Sequence, residues 1–326
     1  MPRALVALGS NIGDREQMLA RAVELLRAEP GITAVLVSRP HETAPIGGAS
    51  GQQNYLNAAA CLETSLSAER LHAALARIEQ KMGRTRAARW DARTIDLDLL
   101  LHGNAVLTAP QLTVPHPRMA FRRFVLEPAA EVAGDMIHPT IGWTVSRLLE
   151  HLNTARPYVA LMGVPASGKT MLAEQLAAAH GGRTVLTSPL QPQQHPSEAS
   201  SSPIYSRQIE FLTRQATLLE SRQWPTNEVL AVSDFCLDQS LAYARVELDA
   251  PDFTRFEVEW TTASERAVSP KLRILLDAIH VPATRLLHNE LLRLAERPHI
   301  GPVLVLRDTN PSLAMVEISA AIEAMR

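Results

Sequence analysis

The apolar residues in the N-terminal part of the chain change their period repeatedly, and this alternation restricts the fold more than any other feature. The predicted elements are a strand over 4–8, a helix over 14–31, strands over 32–43 and 52–66, a helix over 67–83 and an acidic strand over 95–101. Asp14 and Ser67 are expected to cap the two helices, since each directly precedes a helical pattern. The order βαββαβ is typical of a ferredoxin-like α/β sandwich, which we expect over roughly the first 150 residues.

A second domain is expected, because 326 residues exceed the usual size of a single domain. The stretch "LNTARP", residues 152–157, is polar and ends in proline, and a new strand pattern and a new helix pattern follow it. We therefore predict one domain over 1–153 and another over 157–326.

The composition indicates a soluble globular protein, with 46% hydrophobic and 20% charged residues. The net charge of -2 gives no electrostatic basis for binding nucleic acid or an anionic membrane, so neither is expected as a partner. Cys61 and Cys236 are too few for a disulfide framework, and the sequence shows neither a signal peptide nor a membrane-spanning apolar run. These observations predict a cytoplasmic protein.

Two carboxylates stand two residues apart in the apolar stretch "TIDLDLLL", at Asp96 and Asp98. Side chains alternate between faces along a strand, so both carboxylates would lie on one face. Like charges this close need a partner. One interpretation is ion pairing with Arg86, Arg89 and Arg93, which lie just upstream. The other is a magnesium site, since Mg²⁺ takes oxygen ligands and is often held by one or two carboxylates plus the phosphates of a substrate.

A second motif with chemical content is "GVPASGKT", which matches the phosphate-binding loop G-x-x-x-x-G-K-[ST]. The stretch "YVALM" before it is a buried strand pattern, and a helix pattern follows, as the motif requires. Gly163 and Gly168 allow backbone N–H groups to curl round a phosphate at a helix N-terminus. Lys169 would then reach the terminal phosphates, and Thr170 would bind Mg²⁺.

Two later strand patterns end in a carboxylate, at Asp234 and Asp277. Ligands of parallel sheets bind beyond the carboxyl ends of the strands, although an aspartate there is just as often a helix cap. We expect Asp234 to belong to the active centre.

Residues 1–153 resemble 6-hydroxymethyl-7,8-dihydropterin pyrophosphokinase, a family of the folate pathway, over the whole length of that family. The matching stretches, in the family's order, are "ALGSNIGDR", "HETAPIG", "QQNYLNAAACLETSLSAERL", "IEQKMGRTRAARWDARTIDLDLLL" and "LTVPHPRMAFRRFVLEP". The resemblance implies ATP-dependent diphosphoryl transfer to the hydroxymethyl group of the dihydropterin, with release of AMP.

The resemblance also implies roles for individual residues. Asp96 and Asp98 would bind two Mg²⁺ ions that bridge to ATP. The phosphate-binding and catalytic-loop residues of the family map to Arg84, Arg86, Arg89, Trp90 and Arg93, and its further phosphate contacts map to His116 and Arg122. The pterin pocket maps to Thr43, Ile46, Tyr55, Asn57 and Phe124.

Residues 157–326 resemble, less closely, the deoxynucleoside kinase family, which implies a P-loop domain with a parallel sheet. Gln208 lies at the position of the base-reading glutamine, and "AVSDFCLDQSLAYARVEL" is similar to the segment with the substrate-side acid. Thr187 and Ser188 stand where the family has an acid before a proline, and Arg293 and Arg297 are the arginines available for a lid.

Three hypotheses account for these patterns. The first is a bifunctional diphosphokinase and deoxynucleoside kinase, with Asp234 as general base in the second half. The second is a diphosphokinase whose C-terminal half binds a nucleotide as a regulatory module or forms a homodimer, which the missing acid and the short lid favour. The third is a non-catalytic ferredoxin-like binding module, which the paired aspartates oppose. The expected cofactors are ATP and Mg²⁺, and the expected small-molecule partners are the dihydropterin and, for the first hypothesis, a deoxynucleoside.

Overall fold

The computed structural model describes residues 1–47, 51–83, 93–187, 203–224, 229–277, 284–307 and 310–326. The chain forms two compact units, Met1–Asn153 with Ala320–Arg326, and Thr154–Ser319. Within the described ranges, no helix has the length and apolar character needed to cross a membrane.

The N-terminal region alternates strands and helices in the predicted order. Its elements are β1 (Arg3–Ser10), α1 (Arg15–Arg27), β2 (Ile32–Val37), β3 (His41–Thr43), β4 (Tyr55–Thr64), α2 (Ala68–Lys81), β5 (Asp96–His102), β6 (Leu107–Ala109), β7 (Leu112–Val114), α3 (Arg123–Ala133) and α4 (Val145–Thr154). The side chain of Asp14 accepts from the N–H of Gln17, and that of Ser67 accepts from the N–H of Arg70, so both predicted helix caps are confirmed.

The main sheet of the first unit has the strand order β2-β4-β1-β5, with every neighbouring pair antiparallel. This is the order of a split βαβ sandwich, and it confirms the predicted ferredoxin-like class. Leu8, Leu56 and Leu97 lie on one face of the sheet and belong to a buried cluster that includes Leu26 of α1 and Leu75 of α2. The opposite face of the same strands carries the polar residues described below.

The strand predicted over 32–43 is two strands in the structure. β2 ends at Val37, and β3 begins at His41, so the prediction of one continuous strand is wrong. Pro40 lies in the break, where its lack of an N–H removes a ladder hydrogen bond. Both strands pair with β4, β2 with its C-terminal half and β3 with Tyr55–Asn57 at its start.

The second unit is a parallel α/β structure. Its elements are β8 (Tyr158–Met162), α5 (Lys169–Ala179), β9 (Arg183–Val185), α6 (Pro203–Leu218), β10 (Ala231–Ser233), α7 (Gln239–Glu247), α8 (Ala250–Arg266), β11 (Leu272–Leu276), α9 (Arg285–Ala295), β12 (Val303–Leu306) and α10 (Pro311–Ala324). The strand order is β12-β11-β8-β10-β9, and each pair is parallel. The predicted parallel sheet is confirmed. All of its strands run the same way, and the strand order changes direction beside β8, the strand before the phosphate-loop motif.

The end of α10 departs from the predicted domain boundaries. The sequence placed 157–326 in one domain, whereas Ala320–Arg326 belong to the first unit. Ile322 and Met325 are buried, and the backbone carbonyl of Met325 accepts a hydrogen bond from Arg123 Nε of α3 at 3.4 Å. This apolar segment therefore contributes to the unit formed by the N-terminal residues, which no local pattern indicates.

Candidate active site

One face of the sheet in the first unit carries a row of polar residues with a gap in the middle. Gly9 of β1 lies opposite Asn57 of β4 on one side and opposite Asp96 of β5 on the other. Directly opposite residues of antiparallel strands share a face, so these two side chains flank a position without one. A Cβ atom at Gly9 would lie 3.2 Å from Asn57 Oδ1. Because Gly9 has no side chain, the space between Asn57 and Asp96 is open. The strands that carry these two residues are two interstrand spacings, about 10 Å, apart.

The β4 side of this gap holds three of the predicted pterin residues. Thr43 and Tyr55 are opposite each other across β3 and β4. Asn57 is 7% exposed, and its Nδ2 donates to Thr43 Oγ1 at 2.8 Å. This hydrogen bond fixes the orientation of the amide, and Asn57 Oδ1 is the atom nearest to the missing side chain of Gly9. An acceptor is thus presented to the gap in a fixed position.

The other two predicted pterin residues lie at element boundaries. Ile46 is in the loop that follows β3. Phe124 is in the first turn of α3, where the guanidinium carbon of Arg122 lies 5.5 Å from its ring centroid. Arg122 is thus placed beside the aromatic ring, as a cation next to an apolar wall.

The β5 side of the gap holds the paired aspartates. Asp96 and Asp98 are partly buried and alternate with the buried Leu97 and Leu99. Arg93 Nη1 contacts Asp96 Oδ2 at 2.6 Å, so the ion pair of the first interpretation is present for this carboxylate. The side chain of Asp98 is 43% exposed. Arg84, Arg86, Arg89 and Trp90 lie outside the described residues.

His116 lies beside Asp98 as a neutral imidazole. Burial, together with the positive charges of Arg122 and Arg118, lowers the pKa of His116 to about 3. Its Nδ1 accepts from the backbone N–H of Arg118 at 3.2 Å, so the ring proton is on Nε2. Nε2 is 4.0 Å from Asp98 Oδ2. The ring therefore offers one N–H donor next to the acidic strand at neutral pH.

Two residues that the sequence analysis did not single out hold this region in place. Asn11 Oδ1 accepts from the N–H of Arg93 at 2.7 Å, and the N–H of Asn11 donates to the carbonyl of Arg93 at 3.1 Å. Glu79 of α2 is 8% exposed and accepts from the N–H of Leu97 at 2.8 Å. Both lie in stretches quoted above for the resemblance, "ALGSNIGDR" and "IEQKMG", but their contacts are long-range and leave no local pattern.

The carboxylates of Asp96 and Asp98 on β5 suit a hard cation whose other ligands are water and substrate phosphates. No cluster of three or more His, Cys, Asp or Glu side chains with metal-binding geometry occurs among the described residues. Two carboxylates on one face of a strand, one of them partly open to solvent, match the way proteins hold Mg²⁺ together with water and substrate phosphates.

The phosphate-loop motif of the second unit lies between β8 and α5. Gly168 has φ of 80° at the N-cap of α5, in the left-handed region that glycine adopts without strain. Lys169 Nζ donates to the carbonyls of Gly163 at 3.0 Å and Val164 at 2.7 Å. Burial lowers the pKa of Lys169 to about 8, so the amine is mostly charged at neutral pH. A cation is thus held at the N-terminus of a helix, which suits an anion.

Asp234 faces the phosphate loop from the end of β10. Its Oδ2 accepts from Thr170 Oγ1 at 2.7 Å. Its Oδ1 accepts from the N–H of Thr187 at 2.9 Å and from Thr187 Oγ1 at 3.2 Å. The carboxylate is 6% exposed, and both of its oxygens are engaged. Thr187 is one of the two residues at the position where the deoxynucleoside kinase family has an acid. In the structure it donates two hydrogen bonds to Asp234, while Ser188 lies outside the described residues.

The remaining predicted residues of the second unit that the structure describes contact other side chains of the same unit. Gln208 is 5% exposed, and its Nε2 donates to Glu247 Oε2 at 2.8 Å. His288 Nε2 lies 3.0 Å from Asp277 Oδ1. The two expected lid arginines also have contacts: Arg293 pairs with Glu290, and the guanidinium carbon of Arg297 lies 5.8 Å from the ring centroid of Trp260.

Comparison with known protein families gives a match in the first unit. The family model of 7,8-dihydro-6-hydroxymethylpterin-pyrophosphokinase (HPPK) matches residues 5–134. A 2-amino-4-hydroxy-6-hydroxymethyldihydropteridine pyrophosphokinase of Bacillus subtilis is 47% identical over 129 residues, which are 40% of this chain and 77% of that protein. The chain belongs to the HPPK family. The corresponding enzyme of Synechocystis sp. is 36% identical over 182 residues, covering 55% of this chain and 92% of its own.

The HPPK match contains every residue of the site in the first unit. Residues 5–134 include Gly9, the β3 and β4 residues, the paired aspartates, His116 and Phe124. The second unit lies outside this match. Among solved structures, a deoxyadenosine kinase from M. mycoides has a TM-score of 0.37 and 13% identity, covering 49% of this chain and 95% of its own, a likeness too low to carry an argument.

Proposed function

We propose that the first unit transfers a diphosphoryl group from ATP to 6-hydroxymethyl-7,8-dihydropterin in folate biosynthesis and releases AMP. The observation that carries this proposal is the row Asn57–Gly9–Asp96 across three strands. It supports a pterin on the β4 side and phosphates on the β5 side, with the side-chain-free position of Gly9 between them. Membership of the HPPK family supports the choice of substrates.

The acceptor is oriented by the β4 side of the gap. Asn57 Oδ1, held by the hydrogen bond to Thr43, would accept from an N–H on the pterin edge. Tyr55 and Phe124 would contact the faces of the ring, and Ile46 would close its edge. The hydroxymethyl group would then point across Gly9 toward β5, so that the two reacting groups are held together.

In the reaction, the hydroxymethyl oxygen forms a bond to the β-phosphorus of ATP. The bond from this phosphorus to the oxygen shared with the α-phosphate breaks, AMP leaves with that oxygen, and the hydroxyl proton is released to solvent. His116 Nε2–H donates to a phosphate oxygen, and Arg122 and Arg93 offset negative charge. Arg84, Arg86, Arg89 and Trp90 belong to the proposed phosphate-binding loop through the family resemblance alone.

Asp96 and Asp98 would hold Mg²⁺. When bound, Mg²⁺ neutralises charge on the phosphates and polarises them toward attack. Arg93 occupies Asp96 Oδ2 at 2.6 Å, so we propose that this arginine exchanges the carboxylate for phosphate when the metal and ATP bind.

The test is the release of AMP by the full chain with ATP, Mg²⁺ and the dihydropterin. Asp98→Ala should lower turnover at least ~10²-fold, because loss of a metal-binding carboxylate removes several kcal/mol of charge stabilisation. Asp135→Asn is the matched control, since Asp135 is an exposed carboxylate of the same unit that pairs with Arg3. Near-normal AMP release by Asp98→Ala would refute the assignment.

For the second unit we propose nucleotide binding at the phosphate loop, with Thr170 and Asp234 as the residues that would hold Mg²⁺. The hydrogen bond of 2.7 Å between them supports this role, because P-loop proteins hold the metal by the loop threonine and a strand-end aspartate. The three hydrogen bonds received by Asp234 weigh against the general-base role predicted from the sequence. We therefore propose a nucleotide-binding unit with weak or no deoxynucleoside kinase activity.

Calorimetry on the full chain tests this second proposal. ATP·Mg²⁺ should bind the wild type at one more site than Lys169→Ala, because the substitution removes the cation of the loop. Equal stoichiometry and affinity in the two proteins would remove the phosphate-loop proposal. Rapid phosphorylation of a deoxynucleoside by the wild type, lost in Lys169→Ala, would restore the bifunctional hypothesis.

A further inference from the structure

The carboxylate of Glu131 in α3 binds the segment between β2 and β3, where the strand pairing with β4 is interrupted. Ser38 still belongs to the ladder, since its N–H donates to the carbonyl of Ala59 at 2.9 Å. The next N–H, that of Arg39, donates instead to Glu131 Oε2 at 3.0 Å. Arg39 Nη2 and His41 Nε2 both donate to Glu131 Oε1 at 2.9 Å. Glu131 therefore replaces the ladder partner that the break removes and adds two further bonds.

This anchor lies beside the pterin residues. His41 is directly opposite Asn57 on β4 and two residues before Thr43 on β3, so all three share one face of the sheet. The short strand β3 ends at Thr43, and β4 is the strand it pairs with in the described residues. A strand of this length at a sheet edge has few backbone hydrogen bonds, and its side-chain contacts decide how firmly it is held.

The same helix carries Phe124. Phe124 and Glu131 are seven residues apart, so they lie on one side of α3 about 10 Å from each other. Glu127 lies between them in sequence, and its Oε2 is 3.8 Å from His41 Nδ1. The side of α3 that faces β3 thus carries Phe124 of the proposed pterin pocket at one end and Glu131 at the other.

The other face of β3 has a separate attachment. Arg15 of α1 donates through Nη1 to Glu42 Oε1 at 2.7 Å and to the carbonyl of Asn54 at 2.8 Å. This bond holds the strand against α1 but does not reach the face that carries His41 and Thr43. On the face of β3 toward α3, Arg39 and His41 are hydrogen-bonded to Glu131, and Glu127 lies close to His41.

We infer that Glu131 is a positioning residue for the pterin: through Arg39 and His41 it fixes the edge strand that carries Thr43 against the helix that carries Phe124. It thereby sets the distance between Thr43 and Phe124, which would lie on either side of the pterin, and the position of the Asn57 amide. The inference deepens the function proposed for the first unit and rests on it. Glu131 is hydrogen-bonded to Arg39 and His41 and is not one of the residues proposed to contact a substrate, so its effect would be transmitted through the edge strand.

The experiment compares Glu131→Gln with wild type in the full chain. Glutamine keeps the size but loses the charge and one of the two acceptor oxygens. The KM and the Kd for the dihydropterin should rise about tenfold, as expected when a substrate is displaced by a fraction of an ångström, while the KM for ATP and the Tm stay close to wild type. Arg39→Ala should give a smaller rise, because the backbone N–H of residue 39 still reaches Glu131.

Asp135→Asn is the control, since it removes a two-bond ion pair of the same unit, with Arg3, away from β3. A dihydropterin Kd unchanged in Glu131→Gln would overturn the inference, and so would equal rises in both KM values together with a lower Tm. If the wild type binds the dihydropterin but forms no AMP, the proposed reaction is wrong, and the Kd comparison still decides the role of Glu131.

Discussion

Removing Asp238 should destabilise the second unit strongly, because it is the partner of a buried arginine. Arg273 is the second residue of β11 and is 5% exposed, and its Nε donates to Asp238 Oδ2 at 2.7 Å. Arg273 Nη1 has no hydrogen-bond partner in the described structure, and Nη2 reaches Ser269 Oγ at the long distance of 3.5 Å. Without Asp238 the guanidinium keeps its charge, since arginine does not lose its proton in proteins.

The loss of stability depends on which partner of the ion pair is removed, because Arg273 stays charged without Asp238. Breaking a buried ion pair from one side typically costs about 3–5 kcal/mol, so Asp238→Ala should lose about that much, or roughly 10 °C in the Tm of a unit of this length. Arg273→Met should cost less, because the side chain of Asp238 is 12% exposed to solvent and keeps the hydrogen bond that Cys236 Sγ donates to its Oδ2 at 3.1 Å. The double variant should be more stable than Asp238→Ala, since both charges are gone.

The assay is a double-mutant cycle by urea unfolding of the full chain, followed by hydrogen exchange in peptides from α7 and β11. Glu210→Ala is the control, because Glu210 and Arg214 form an i,i+4 pair on α6 whose side chains are 25% and 45% exposed, and such a helix pair should contribute about 0.3–0.5 kcal/mol. A loss below about 1 kcal/mol in Asp238→Ala, or a double variant as unstable as the sum of the single variants, would refute the reasoning.

Three further predictions concern the two sites. Gly9→Val should abolish AMP formation while the protein stays folded, because its side chain fills the gap next to Asn57 Oδ1; normal turnover would contradict the proposed substrate path. His116→Ala should lower kcat/KM for ATP by about 10–100-fold through loss of one charge-assisted hydrogen bond. Since the pKa of His116 is about 3, its neutral form is fully present above pH 5, and wild type and His116→Ala should show the same pH dependence between pH 5 and 8. Thr170→Val should weaken ATP·Mg²⁺ binding at the second unit in calorimetry, because it removes the hydroxyl that is hydrogen-bonded to Asp234 and is proposed to bind Mg²⁺ with it.

The parts of the structure that could be predicted from sequence are those set by local patterns. The alternation at Asp96 and Asp98 depends on strand geometry alone, and the helix caps at Asp14 and Ser67 need a partner only three residues away. The phosphate loop is likewise a local motif, in which Gly168 has the positive φ expected of it. The parallel and antiparallel sheets follow from the order of such elements.

The parts that could not be predicted depend on contacts between distant residues. Thr187 and Asp234 meet because β9 and β10 are neighbours in the sheet, an arrangement that the sequence does not reveal. The charge in "KLRILL" is visible in the sequence, but its partner Asp238 lies on another element and is found only through packing. Pro40 was visible inside the predicted strand 32–43, and a strict use of its missing N–H would have placed the break correctly.

The assignment of Ala320–Arg326 to the first unit has a consequence for synthesis on the ribosome. Domains emerge and begin to fold from the N-terminus at about 5–20 residues per second, so the sheet with Asn57 and Asp96 is made first. Its final segment, with Ile322 and Met325, is translated only after the whole of Thr154–Ser319, a delay of roughly 10–30 s. During that interval the surface that receives this apolar segment has no covering from it, and the folding of the first unit finishes after the second unit has been synthesised.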